Sequence, residues 1–167
     1  ESLYAIADHH YKRRHYKKAA EAFNKVDLRQ IGTEKKRELQ FKRGHSLFEI
    51  EEFESARYDL FDVMKSNGTF HSAATYYFSH IAYLNNNPQV ALDGFYEIAD
   101  DPDFVSVVPI YIAQSLHASS QFNELQSYGP PLLDESAGLE DEERTEIARL
   151  VGDAFYKNQD FTTASPY

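Results

Sequence analysis

The stretch Glu52–Phe61, EFESARYDLF, places Phe53, Ala56 and Leu60 at spacings of three and four residues. Spacings of three and four keep side chains on one face of an α-helix, so the stretch predicts a helix that buries its alanine. The same arrangement recurs upstream and downstream, at Tyr16, Ala19 and Phe23 and at Pro88, Ala91 and Phe95. The local pattern is therefore part of a repeat.

The repeat runs along the whole chain. Its central position recurs at intervals of 34 to 39 residues, at Ala19, Ala56, Ala91, Leu125 and Ala164. Twelve residues before each of these stands a second small residue: Ala7, Gly44, Ser79, Ala113 and Gly152. An aromatic ring follows four residues later, at Tyr11, Phe48, Tyr83, His117 and Tyr156. Self-similarity at a period of about 20–50 residues is typical of a solenoid.

Each repeat predicts two antiparallel helices, because a second amphipathic segment follows the first after a short polar turn. The small residues then allow the two helices to approach closely. We expect about nine helices, over residues 3–14, 16–27, 34–50, 53–66, 71–85, 88–99, 104–118, 122–128 and 141–158. Asp103 is the expected N-cap of the helix at 104–118. The predicted fold is all-α, a right-handed α-α superhelix without strands.

The layout resembles the tetratricopeptide repeat (TPR), which has a period near 34 residues and two helices per repeat. The resemblance implies one repeat domain over residues 1–167. This domain comprises about four and a half helix pairs, at roughly 3–28, 34–66, 71–100, 104–133 and 141–167. It also implies a piece of a longer array. The fourth repeat departs from the pattern, because Leu125 replaces alanine and Gly129, Pro130 and Pro131 break its second helix.

A closer resemblance, carried by the segment from Tyr76 to Phe95 and by VVPIYIAQ, is to tandem TPR stretches of large bacterial exported proteins. That resemblance implies a location in the bacterial cell envelope or periplasm. No run of about 18 apolar residues is present, so the sequence predicts no membrane insertion of this segment.

Charge is distributed unevenly along the chain. Residues 1–44 carry 12 lysines and arginines against 6 acidic residues, whereas residues 45–167 carry 5 against 21. Most of these charges are expected on solvated helix faces. The polarity also predicts self-association through the solenoid ends, each end attracting an oppositely charged neighbour.

Other kinds of site are weaker interpretations. His9, His10 and His15 are separated by one, five and six residues, which does not match the three- or four-residue spacing of metal-binding pairs on a helix. YKRRHYKK (Tyr11–Lys18) mixes rings and cations as nucleic-acid sites do, but the rest of the chain is acidic. With no phosphate loop or catalytic motif, we predict no enzyme, no cofactor, no metal and no nucleic acid.

The resemblance implies a protein or peptide partner, bound in a concave groove lined by the first helix of each repeat. The expected groove residues are Tyr4, Asp8, Tyr11, Phe41, His45, Phe48, Tyr76, His80, Tyr83, Gln114, His117, Asp153 and Tyr156. Chaperone-adaptor TPR domains clamp a terminal carboxylate, and the matching positions here are Tyr4, Asp8, Lys42, Ala73 and Tyr77. Only Lys42 could serve, so no acidic tail is expected. The alternative function is a structural spacer within a longer superhelix.

Overall fold

The computed structural model describes residues 2–167, and within this range the chain is helical and has no strand. Ten α-helices follow one another: α1 Leu3–Lys12, α2 Tyr16–Phe23, α3 Thr33–Glu49, α4 Phe53–Met64, α5 His71–Leu84, α6 Pro88–Glu97, α7 Val108–Ala118, α8 Phe122–Tyr128, α9 Asp141–Lys157 and α10 Phe161–Ala164. Short 3₁₀ helices span Leu28–Gln30, Pro130–Leu133 and Glu135–Ala137. The all-α prediction is confirmed.

The helices begin where the local sequence supplies partners for free amide groups. Ser2 accepts a hydrogen bond from the backbone N–H of Ala5 at the start of α1. At the start of α9, the Glu143 carboxylate accepts one from the backbone N–H of Glu140. Pro88 and Pro109 stand in the first turns of α6 and α7, where proline costs no hydrogen bond.

Two of the predictions about helix α7 and its cap were wrong. The helix begins at Val108 and not at residue 104. Its N-cap is Val107, and no side chain caps it. Asp103 instead donates its backbone N–H to the side chain of Asp101, 2.9 Å away, within a turn. The acidic run therefore forms its own local turn before the helix starts.

The two helices of each pair are connected by the same type of turn. The residue five positions before each central position has a positive φ, at Arg14, Glu51, Asn86, Ser120 and Gln159. Each of these residues donates its N–H to the carbonyl three residues earlier, as Glu51 does to Phe48. The next residue donates to the carbonyl five residues earlier, as Glu52 does to Leu47. This is the Schellman ending of a helix, formed here without glycine.

Contacts divide the chain into two compact units, the first ending at Ile81 and the second spanning Ala82–Tyr167. The interpretation of residues 1–167 as one domain remains a prediction. In the first unit the repeat positions lie in the core: Ala7, Ala19, Gly44 and Ala56 are buried. A Cβ atom at Gly44 would lie 2.9 Å from Cγ of Leu60, so α3 and α4 approach each other closely.

Helices α3 and α4 are also joined by a charge pair. Arg43 donates from Nε and Nη2 to the two carboxylate oxygens of Asp59, at 2.6 and 2.7 Å. The two side chains are only 18% and 9% exposed. Beside them, the amide of Gln40 donates to Asp62. Bidentate geometry of this kind fixes the orientation of one helix against the other.

The second compact unit contains the end of α5 and α6 to α10, and its buried apolar residues lie mainly on α6, α7, α8 and α9. Leu125 occupies the central position of the fourth repeat and is fully buried. Helix α8 ends at Tyr128, as the Gly-Pro-Pro run predicts. A Cβ atom at Gly129 would overlap the Val151 side chain, so the chain presses directly on α9 after the helix stops.

Candidate functional site

The thirteen predicted groove residues all lie on the first helix of a repeat, that is on α1, α3, α5, α7 or α9. Most of them are half-buried. Phe41 is buried, with 8% exposure, and Tyr156 is the most exposed, at 60%. Half-burial is the condition in which a ring both packs against its neighbours and presents a surface to a partner.

Neighbouring repeats are joined by equivalent contacts between predicted groove residues. The hydroxyl of Tyr11 lies 2.7 Å from Nδ1 of His45. The rings of Phe48 and His80 meet edge to face with centroids 5.5 Å apart, and Nε2 of His117 lies 2.6 Å from a carboxylate oxygen of Asp153. In every case the aromatic position of one repeat contacts the residue just after the small residue of the next. We call these contacts the inter-repeat pairs.

His45 has two polar partners on the first of these pairs. Its Nδ1 faces the Tyr11 hydroxyl, and its Nε2 lies 3.2 Å from the Glu49 carboxylate. A neutral ring with its proton on Nε2 satisfies both, because Nδ1 then accepts from Tyr11 and Nε2 donates to Glu49. Burial lowers the pKa of His45 below its usual range, and the charge and hydrogen bond of Glu49 only partly oppose this effect.

Further rings extend the face of the first compact unit that is formed by α1, α3 and the start of α5. Tyr77 lies 4.6 Å from His45 and 4.9 Å from Phe48 between ring centroids. The Tyr76 and His80 rings lie 5.9 Å apart. Burial lowers the pKa of His80 as well. We call this surface, with its members Tyr11, His45, Phe48, Tyr76, Tyr77 and His80, the ring face.

Tyr77 was not among the predicted groove residues. The sequence placed it only at a position of the carboxylate clamp. Tyr77 stands two residues before the small Ser79, the position that Lys42 occupies in the preceding repeat. The repeat register therefore contains the signal, but the polar equivalent in the earlier repeat conceals it.

A polar cluster borders the ring face at the start of α1 and α3. The ammonium of Lys42 donates to Asp8 at 2.5 Å and to Glu38 at 2.6 Å, and its side chain is 13% exposed. Burial raises the pKa of Glu38, but hydrogen bonds from Lys42, Tyr4 and Lys35 overcome this effect and lower it to about 2. The only cation at a clamp position is thus already held by two carboxylates.

The remaining predicted residues lie in the second compact unit, on α7, α9 and the end of α5. Burial and the charge of Glu146 raise the pKa of Tyr83. The Tyr156 ring packs edge to face on Phe161, with centroids 5.1 Å apart. This unit carries 15 acidic residues and 3 lysines and arginines. This unit is therefore strongly acidic, whereas the unit that carries the ring face has nearly balanced charge.

No group of three or more histidine, aspartate or glutamate side chains in residues 2–167 is placed to hold a metal ion. The rings of His9, His10 and His15 lie about 6 Å apart in sequence order, at 5.9 and 6.1 Å. None of the helices described is long and apolar enough to cross a membrane.

These features define a class of protein, a helical repeat built from antiparallel helix pairs. Comparison with solved structures makes the class more specific. A MamA mutant structure superposes with a TM-score of 0.74 at 10% identity, covering 98% of this chain and 90% of that one. TPR-like repeats of a protein described as a kinesin light chain, from Podosopora anserina, give 0.68 at 13% identity, with 98% and 89% covered.

The C-terminal part of a TPR repeat-containing protein from Cytophaga hutchinsonii gives a TM-score of 0.67 at 16% identity, covering 96% of this chain and 60% of that one. No family model matches the chain, and no curated protein matches it in sequence. At these identities the likeness concerns the fold. The chain has the TPR-like fold, as the repeat predicted, and this fold commonly mediates protein–protein interaction.

Proposed function

We propose that the chain is a protein–protein interaction scaffold that binds a peptide or helix of a partner on the ring face. The supporting observation is the cluster of half-buried rings on α3 and α5, where the ring centroid of Tyr77 lies 4.6 Å from that of His45 and 4.9 Å from that of Phe48. Rings held in place by their neighbours lose little entropy on binding. They can therefore supply anchoring contacts to an apolar side chain of a partner.

The polar cluster beside the ring face favours an apolar anchor over an acidic one. The ammonium of Lys42, the one cation among the five clamp positions, is already engaged by the carboxylates of Asp8 and Glu38, and its side chain is 13% exposed. A carboxylate of a partner could bind this ammonium only by competing with these two carboxylates. The proposed partner is therefore a segment with aromatic or aliphatic anchors and not the acidic tail of a chaperone.

The proposal assigns no catalysis to the ring face. The polar groups of Tyr11, His45 and Glu49 are engaged with each other. Nucleic acid is also a poor partner, because residues 82–167 carry five times as many acidic as basic residues, 15 against 3. Such a surface repels phosphate.

A spacer role is the second candidate function. The inter-repeat pairs favour it, because they use Tyr11, His45, His117 and Asp153 to join one repeat to the next. Self-association through the ends would extend the same role. Under this alternative the half-buried rings only stabilise the solenoid, and no free peptide binds to them.

A displayed library of random peptides, selected against the whole chain, separates the two functions. We expect selected peptides with aromatic or aliphatic anchors. The double variant Tyr76→Ala/His80→Ala should weaken their binding roughly tenfold or more. Tyr58→Ala is the matched control, because Tyr58 is 70% exposed on α4, outside the ring face.

Circular dichroism verifies that both variants keep their helix content. Full binding by the folded double variant would remove the ring face as the site and direct attention to the outer helices. Failure to select any peptide would favour the spacer.

A further inference from the structure

A second surface with exposed rings lies on α9 and α10, in the second compact unit. It surrounds an open cavity of about 530 Å³, lined among others by Arg149, Gly152, Asp153, Tyr156, Phe161 and Ala164. The rings of Tyr156 and Phe161 are 60% and 57% exposed. In a helical repeat, exposed rings at such positions are normally covered by a neighbouring helix.

The repeat register shows what kind of element covers the equivalent surface elsewhere in the chain. Subtracting 145 from each of the six lining positions gives Tyr4, Ala7, Asp8, Tyr11, Tyr16 and Ala19, on α1 and α2. Those residues form the surface on which α3 packs in the first compact unit. The α9–α10 cavity therefore corresponds to a surface that is covered by a helix in the first repeat. We call such a helix-binding surface a seat.

Helix α3 contacts its seat through three side chains at spacings of three. Leu39 packs in one cluster with Ala7 and Ala19. Lys42 donates to Asp8 at 2.5 Å. The His45 ring meets the rings of Tyr11 and Tyr16, with centroids 5.6 and 5.4 Å apart. An apolar residue, a cation and a ring thus face a small residue, a carboxylate and two rings.

The α9–α10 cavity offers the same three features. Gly152 stands in the place of Ala7, Asp153 in the place of Asp8, and Tyr156 and Phe161 in the places of the two tyrosines. Asp8 accepts two cations, Lys12 at 2.6 Å and Lys42 at 2.5 Å. Asp153 has Nε2 of His117 on one carboxylate oxygen, and its other carboxylate oxygen can accept a hydrogen bond from a cation.

One residue of the chain already lies against part of this surface. A Cβ atom at Gly152 would lie 3.0 Å from Cβ of Tyr167, and the Tyr167 ring stacks on Phe155 with centroids 5.8 Å apart. The position that Leu39 contacts in the first repeat is therefore contacted here by an aromatic residue. The two exposed rings beside it are left uncovered.

We propose that the α9–α10 cavity is a docking site for a basic amphipathic helix of a protein partner, which presents a cation and a ring three residues apart beside the surface that Tyr167 already contacts. The cation pairs with Asp153, and the ring packs against the exposed surfaces of Tyr156 and Phe161, which meet each other edge to face. The acidic character of residues 82–167, with 15 acidic and 3 basic side chains, attracts such a helix over a longer range. This site is separate from the ring face and does not depend on the proposed function of that face.

The test uses α3, the helix that covers the equivalent surface in the first repeat. A fluorescent peptide of residues 33–50, with a hydrocarbon staple replacing the side chains at positions 40 and 44, preserves Leu39, Lys42 and His45 in helical form. Positions 40 and 44 lie toward α4 in the folded chain, as the contacts of Gln40 with Asp62 and of Gly44 with Leu60 show. Binding to the whole chain is measured by fluorescence anisotropy.

We expect saturable binding that Tyr156→Ala and Phe161→Ala each weaken roughly tenfold. The same peptide with Lys42→Glu should bind more weakly, because it brings a carboxylate to Asp153. Tyr58→Ala, which removes an exposed ring from α4, should leave the affinity unchanged. Circular dichroism confirms that each variant is folded.

No saturable binding would overturn the proposal. So would binding that is insensitive to Phe161→Ala, or binding lost in Tyr76→Ala/His80→Ala, because the peptide would then occupy the ring face or displace α3. Sedimentation of the chain without peptide tests whether a second copy of the chain occupies the cavity. If a second copy fills the cavity, Phe161→Ala abolishes self-association, and the assignment to a different protein partner is wrong.

Discussion

The small residues inside the helix pairs determine how closely neighbouring helices approach. Ala56 is fully buried in one cluster with Phe41, Leu60 and Ile81. Ala56→Leu should therefore overpack this cluster and lower the free energy of unfolding by about 1–3 kcal/mol. Urea unfolding followed by circular dichroism measures the change. Ala5→Leu, at an exposed position of α1, is the control. An unchanged midpoint for Ala56→Leu would contradict the contact.

Protonation of His45 should destabilise the first compact unit. Because burial lowers its pKa in the folded chain, the unfolded chain binds the proton more readily. The contribution of His45 is complete above the unfolded pKa of about 6.5 and is lost as the pH falls through the lower, folded value.

The free energy of unfolding at about pH 7 and about pH 5, in wild type and in His45→Gln, tests this dependence. The variant should lose less stability over this interval than the wild type. His9→Gln changes an exposed histidine and should behave as the wild type does. Identical pH dependence in all three proteins would show that His45 is not a proton-linked group.

For single residues, the sequence predicted which small side chains are buried better than it predicted the contacts of the candidate site. Ala7, Ala19, Ala56 and Ala91 are all fully buried, as their spacing required. The assignment of the groove residues to a partner remains a prediction. Their mutual contacts were invisible in the sequence, because the hydrogen bond from Tyr11 to His45 joins residues 34 apart and depends on how the helices pack. Hydrophobic spacing reports the buried face of a helix but not its polar partners.

The turn within each helix pair lowers the stability of the fold, because one of its residues has a left-handed backbone conformation. Glu51 has a φ of 63° in the connection between α3 and α4. A left-handed conformation costs a non-glycine residue about 1–2 kcal/mol, and glycine avoids this cost although it loses more entropy on folding. Glu51→Gly should therefore raise the free energy of unfolding by up to about 1 kcal/mol.

The neighbouring Glu52 has a φ of −82° and gives the matched control, since Glu52→Gly relieves no strain. Urea unfolding of the two variants makes the comparison. Equal destabilisation by both substitutions would show that the left-handed conformation of Glu51 costs nothing.

Helix existence followed from the repeat more reliably than helix boundaries did. The start of α4 at Phe53 and both ends of α8 agree with the prediction. The predicted start of α7 was four residues too early, because the amides after the acidic run are engaged in turns, such as Val107 N–H to Phe104 C=O. The left-handed residue in each turn was not predicted, since none of the five is glycine.

The distribution of charge should make the chain associate with itself. Residues up to 81 carry 14 basic and 12 acidic side chains, whereas residues 82–167 carry 3 and 15. Attraction between the basic start of one copy and the acidic part of another is screened by salt. Sedimentation velocity should therefore show a coefficient that rises with protein concentration at low ionic strength and not at high ionic strength. A strict monomer at low ionic strength would rule out the association.

Hydrogen–deuterium exchange of the whole chain, with and without a selected peptide, tests the proposed binding on the ring face most directly. Binding slows exchange in the helices that contact a ligand, because their local opening becomes less frequent. The account predicts added protection in α1, α3 and α5, and little change in α2 and α4. Protection confined to α2 and α4, or no change at a saturating concentration of peptide, would contradict it.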